Sequence, residues 1–164
     1  MKKYKNVLMG CFFFLICIVI NRGIFFWSWI PSGSMEPTIT TGSLVLGNKM
    51  NTDEIQRGDI IIFRYPDDES QYYIKRVIGV PGDVIRIQNG KVYLNNIELE
   101  EPYAYGETDG DGIYSVPDGS YFVLGDNREN SHDSRYWNHT YVNTDEIAAT
   151  ALVNVWPIME FKIL

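Results

Sequence analysis

Hydrophobic positions divide the chain into two unlike parts. From Asn6 to Ile20 nearly every residue is apolar, with a basic start at Lys2, Lys3 and Lys5. A continuous run of this kind reads as a membrane helix. Fifteen residues span roughly 22 Å at ~1.5 Å each, short of the ~30 Å hydrocarbon core. Arg22 can snorkel to a headgroup, and the aromatic run Ile24–Ile30 can lie in the interface, which makes one spanning segment. The small-x-small site of a cleaved leader is missing after Ile20, where Asn21, Arg22, Gly23 and bulky aromatics follow, so the anchor is expected to be retained.

After Thr40 the pattern becomes strand-like. Apolar runs occur at Ser43–Leu46, Gly58–Phe63, Tyr72–Val80, Val84–Ile87, Val92–Leu94, Tyr121–Leu124 and Ala151–Val155. Asn89-Gly90 between two of them predicts a hairpin with a type I′ turn, and Asn95-Asn96 before Ile97 predicts a second tight turn. No amphipathic helix of three turns follows residue 31. The expected fold is mostly β: an antiparallel sheet, barrel-like or sandwich domain behind one N-terminal transmembrane helix. The boundary falls between 1–30 and 31–164, with a small insertion at about 84–120. Within it, residues 98–120 read as a solvated acidic loop. Its Asp109-Gly-Asp111-Gly lacks the further ligands and closing Glu of a calcium loop.

Charge sharpens the division. All 21 acidic residues lie after position 30, against ten of the 14 Lys and Arg, and the whole chain carries -7. An acidic domain argues against nucleic acid, which needs Lys and Arg to neutralise phosphates, and against docking onto anionic lipid by charge. Three lysines before the apolar run and one arginine after it place the N-terminus in the cytoplasm. The chain is thus expected to be single-pass in the cytoplasmic membrane, its domain outside. Both cysteines, Cys11 and Cys17, sit in the apolar run, so the domain has no disulfide framework and no thiolate metal site.

Three segments carry candidate chemistry. Pro31-Ser-Gly-Ser-Met-Glu-Pro-Thr38 is a short stiff loop. Gly33 is expected to allow backbone angles that a Cβ forbids, and the prolines block a helix. Such a loop can hold a serine hydroxyl beside a backbone N–H, as a nucleophile and its oxyanion donor require. Lys75 lies in the apolar strand Tyr73–Ile78, where alternation gives it the face of Tyr73 and Val77. At its ordinary pKa of ~10.4 a lysine is almost wholly protonated near pH 8, whereas burial lowers that value. Gly125–Arg135 is dense in turn formers and charges. Asp126, Arg128, Asp133 and Arg135 can form ion pairs that fix a loop, and Ser131 can present its hydroxyl to Lys75. A Ser34–His132–Asp133 triad remains open on spacing. So do structural readings: a linker for the first segment, an edge-strand lysine for the second and a solvated turn for the third.

Four blocks taken together resemble the bacterial type I signal peptidases, membrane-bound serine/lysine proteases. They are 31–38, Gly58-Asp-Ile-Ile-Ile-Phe63, Lys75-Arg-Val-Ile-Gly-Val-Pro-Gly-Asp83 and Gly125-Asp-Asn-Arg-Glu-Asn-Ser-His-Asp-Ser-Arg135, in the family's order. The resemblance implies Ser34 as nucleophile and Lys75 as general base. It implies the Ser34 N–H and Ser32 hydroxyl as oxyanion donors, and Ser131 as the serine that orients the lysine. Asp126, Arg128, Asp133 and Arg135 match residues that hold the loop, and Met35 one that packs near the lysine. It further implies signal-peptide-bearing preproteins as substrates, the lipid bilayer as partner, no obligate protein partner, and no metal or cofactor. Two rivals are a Ser–Lys enzyme on a narrower substrate and an inactive relative that binds exported chains without cutting them.

Overall fold

A computed structural model describes the backbone of residues 2–50, 52 and 54–164, and the side chains of that stretch apart from 2–8, 16, 17 and 20. Helix α1 runs Lys2–Ile24, longer at both ends than the apolar run predicts. Much of the anchor expectation falls on side chains outside the described residues, Cys17 included. Among the described residues no helix is long and apolar enough to cross a membrane.

Twelve strands follow: β1 Phe25–Trp29, β2 Leu44–Asn48, β3 Ile60–Tyr65, β4 Asp68–Gly79, β5 Val84–Gln88, β6 Lys91–Leu94, β7 Ile97–Glu98, β8 Gly112–Ser115, β9 Ser120–Leu124, β10 Val142–Asn143, β11 Ile147–Trp156 and β12 Lys162–Ile163. They form two sheets among the described residues. The larger has the order β1-β2-β11-β3-β4-β9-β10 with β12 on β11, and the smaller β7-β6-β5-β8. All the strand pairings are antiparallel.

The isoleucine run of β3 shows why the larger sheet forms. Successive side chains point to opposite faces. Ile61 and Phe63 pack with Val77, Val123 and Trp137, while Ile60 and Ile62 pack with Ile30, Met35, Ile39 and Ile74. Both faces of β3 are therefore covered, which suits an unbroken apolar run better than alternation. A third cluster, with Ile78, Ile85, Ile87, Phe122 and Leu124, joins the small sheet to the large one. Both turns of the small sheet take the predicted form. Asn89 and Gly90 have φ of 52° and 77°, Asn95 and Asn96 of 49° and 72°, the paired positive φ of a type I′ turn.

Two expectations change. Phe25–Trp29 is the first strand of the large sheet, paired with β2 from Phe25↔Asn48 to Trp29↔Leu44, so sheet structure begins before residue 31. The stretch 98–120 is not a free loop: it supplies β8 and, as described below, several contacts to the 125–135 segment.

Candidate active site

The loop between β1 and β2 turns tightly after Pro31. Glu36 N donates to Gly33 O (3.1 Å) and Ile39 N to Met35 O (2.9 Å). Met35 and Ile39 are buried in the cluster around Ile60 and Ile74, and this anchors the loop on the sheet. Gly33 does not take a positive φ; a Cβ there would stand 3.0 Å from the Glu36 carboxyl carbon, so a larger residue would require the Glu36 side chain to give way by a few tenths of an ångström. Ser34 is buried, 6% exposed.

Strand β4 brings Lys75 to this serine. Lys75 lies opposite Ile61 of β3 and is 4% exposed. Its Nζ is 2.6 Å from Ser34 Oγ and 3.1 Å from Ile74 O, to which it donates. The Tyr73 ring is 5.5 Å away. Burial pushes the ammonium pKa down from 10.5 to about 8, and the Arg135 charge acts in the same direction; Asp133 and Asp126 pull it partly back. Desolvation disfavours the charged form, and at this depth it wins. Neither side of the dyad involves a histidine. His132 Nε2 faces Tyr65 OH at 3.3 Å, and the Asp133 carboxylate is taken by Gly125 N and Arg135. The Ser34–His132–Asp133 triad is not formed.

The Gly125–Arg135 segment meets the serine loop from the other side. Asn127 N donates to Ser34 O (3.0 Å), and Asn127 Nδ2 to Gly33 O (3.1 Å). Gly125 permits this approach, since a Cβ there would lie 2.4 Å from Ser34 O and 2.2 Å from Ser131 Oγ. Of the four charged residues expected to pair, only Asp133 and Arg135 do so with each other (2.8 Å). Asp126 instead binds Arg76 at 2.8 and 2.7 Å. Arg128, 1% exposed, binds Glu101 at 2.6 and 2.9 Å and Thr108 Oγ1 at 2.7 Å. Arg135 also reaches Asp109 at 2.6 Å. Backbone bonds complete the seam: Tyr105 N to Asp126 O (2.7 Å) and Arg128 N to Tyr105 O (2.9 Å).

Ser131 departs from expectation. Its hydroxyl is buried with no partner among the described residues, and Lys75 is held by Ser34 and Ile74 O instead. Ser32 is exposed and, with Ser34, Lys75 and Ser131, lines a cleft of about 650 Å³. Arg76, Glu101, Thr108, Asp109 and Asn127 join the site beyond the residues that the sequence motifs mark out. Arg76 had a signal, a second cation next to Lys75 in an apolar strand. The others join through long-range contacts that spacing does not reveal.

The chain matches the family model described as signal peptidase, peptidase S26, over residues 4–156. It is 36% identical over 168 residues to signal peptidase I of Bacillus caldolyticus, covering 91% of this chain and 90% of that protein. Signal peptidase I of Pseudomonas fluorescens is 35% identical over 71% of this chain and 56% of its own length. For the probable signal peptidase I-2 of Synechocystis the figures are 37%, 83% and 65%. The chain thus spans under two thirds of the length of these last two relatives. A crystal structure of a signal peptidase I from Enterococcus faecalis superposes with a TM-score of 0.52 at 32% identity, covering 59% of this chain and 96% of that one. With this dyad and these matches, the chain belongs to the signal peptidase family, peptidase S26, on its bacterial type I side.

Proposed function

We propose that the chain is a membrane-anchored serine endopeptidase that removes signal peptides from exported preproteins at the outer face of the cytoplasmic membrane. The observation that carries this is the 2.6 Å approach of Lys75 Nζ to Ser34 Oγ inside a buried pocket that lowers the lysine to about 8. A neutral amine there takes the Ser34 proton as the hydroxyl oxygen attacks the scissile carbonyl. The Ser34 N–H and the Ser32 hydroxyl stabilise the resulting oxyanion. The lysine then returns its proton to the leaving amine, and a water activated by the same lysine hydrolyses the acyl-enzyme. No other group enters these steps. Asp126, Arg128, Asp133 and Arg135 keep the 125–135 segment in place, and Met35, buried with Ile30, Ile39, Ile60 and Ile74, anchors the serine loop on the sheet.

Two features support the membrane setting. Helix α1 has 23 residues, about 34 Å at ~1.5 Å each, with Phe12, Phe13, Phe14 and Val19 exposed. The sheet it leads into also carries an outward apolar face. Strand register places Trp27 beside Leu46 and Trp29 beside Leu44. Trp156 stands opposite Leu44 and Val153 opposite Leu46, and Ile163 lies beside Val153.

Replacing Ser34 or Lys75 with Ala abolishes cleavage of a preprotein in detergent while the fold persists by circular dichroism. Full activity in either variant would end the mechanism. A serine-directed acylating inhibitor separates the enzyme from an inactive binder, which would take up no label.

A further inference from the structure

The oxyanion hole proposed above needs the Ser34 N–H held still and pointed into the cleft. That N–H belongs to the Gly33–Ser34 peptide, a planar unit in which C=O and N–H point in opposite directions. Whatever grips the Gly33 oxygen therefore aims the Ser34 N–H. Two donors grip it: Glu36 N at 3.1 Å, from within the same turn, and Asn127 Nδ2 at 3.1 Å, from the facing segment. Among the described residues nothing accepts from the Ser34 N–H itself, which leaves it free for a substrate oxygen.

We propose that Asn127 is a positioning residue for the oxyanion hole, acting through the Gly33–Ser34 peptide plane. Its chemistry suits the task. Asn127 is 8% exposed and grips both flanks of the nucleophile: the side-chain amide takes Gly33 O, and its own backbone N–H takes Ser34 O at 3.0 Å. It does not line the cleft, so it works from behind the wall and leaves substrate space clear. A hydrogen bond to Gly33 O also polarises the peptide and strengthens its N–H as a donor. Asn127 is itself fixed from both sides. Asp126 is locked to Arg76, Arg128 to Glu101, and Tyr105 runs beside Asn127 in a parallel bridge. The acidic stretch 98–111 thereby reaches the reacting atoms through one amide.

This inference rests on the Ser34–Lys75 reading, and its test keeps the two apart. Asn127→Asp preserves shape and the backbone contact but removes the Nδ2 donor; Asn127→Ala removes the side chain without adding charge. Removing an oxyanion donor outright costs about 10²–10³ in kcat. Because Glu36 N remains, the expected loss here is about fivefold to a hundredfold in the high-pH plateau of kcat. KM and the lysine titration limb of Asn127→Ala should stay near those of the parent chain. A peptide aldehyde ending in alanine, which adds Ser34 Oγ while the serine proton passes to Lys75 and so leaves its former carbonyl oxygen anionic in the hole, should lose affinity in parallel with kcat. An uncleavable peptide of the same sequence should not. A plateau within less than about fivefold of the parent overturns the proposal, as does equal weakening of aldehyde and peptide, which would mark Asn127 as shaping the cleft only. Ser34→Ala and Lys75→Ala are run alongside. If they stay active, the dyad reading has failed; if they are dead while Asn127→Ala keeps its plateau, only this inference has.

Discussion

At the residue scale the decisive quantity is the charge on Lys75. With its pKa near 8, about a tenth of the amine is neutral at pH 7, against about one part in three thousand at its ordinary 10.5. Cleavage rate should climb with pH up to about 8 and then level off. A maximum near pH 5 would exclude this base. The same burial penalises folding. Below pH 8 the lysine is charged in both states and the folded chain bears the full cost, roughly 3 kcal/mol for a shift of this size. Between 8 and 10.5 the unfolded chain still holds a proton that the folded chain has released, so stability rises with pH across that window. Lys75→Met should therefore be inactive yet more stable at pH 7, by about 1–3 kcal/mol once the lost hydrogen bonds are set against the relief. Its advantage should shrink above pH 8. Denaturant melts at pH 7 and 10 check this, and an unchanged or lower midpoint at pH 7 would mean the amine is not strained by burial. Ser34 and Lys75 were legible in the sequence because each sits in a local pattern that imposes its conformation: a proline-flanked turn and an apolar strand.

Elements explain what the sequence left hidden. A period-2 run announces a strand, and an Asn-Gly pair announces its turn, so β2 to β6, β9 and β11 could be placed within a few residues. Pairing partners of charged side chains carry no such signal. Arg128 has Glu101 as its partner, 27 positions away, and spacing within 125–135 suggested pairs inside that segment instead. The acidic stretch 98–111 read as solvent-facing for the same reason, since its function lies in where the small sheet delivers it. Short edge strands such as β1, β10 and β12 gain their structure from neighbours and not from their own pattern. Arg128 and Glu101 are almost fully buried, with 1% and 9% of their side chains exposed. Removing one partner of such a pair leaves an unpaired buried charge and costs about 3–5 kcal/mol. Glu101→Gln should lower thermal stability by about that much and reduce cleavage as well, because the strut behind Asn127 loosens. Glu98→Gln, which breaks the exposed pair with Lys91, should change stability by less than about 1 kcal/mol. Equal losses in the two variants would show that the Arg128 pair is no stronger than a surface contact.

At the scale of the whole molecule, the membrane setting proposed above requires one face of the large sheet to meet the bilayer. The charge balance and the apolar face give opposite answers if taken alone. An acidic domain is repelled by anionic headgroups, yet Trp27, Trp29 and Trp156 are 48%, 60% and 50% exposed on one side of the large sheet, the first two on β1, the strand that continues α1. Tryptophan at this position favours the headgroup level, where an aromatic ring is half wet. Repulsion from lipid charge is screened within about 8 Å at physiological ionic strength, while burying apolar area contributes ~25 cal/mol per Å² whatever the salt. The contact should therefore survive on neutral lipid and weaken little as salt rises. The chain has four tryptophans, and the fourth, Trp137, is 5% exposed in the core with Phe63 and Val77, which makes it an internal control. In nanodiscs of phosphatidylcholine brominated near the headgroup, variants retaining Trp27, Trp29 or Trp156 alone should be quenched, and one retaining Trp137 alone should not. The pattern should hold from 50 mM to 500 mM salt. Equal emission from all four would mean the sheet stands clear of the lipid, with the cleft reaching its substrate through α1 alone.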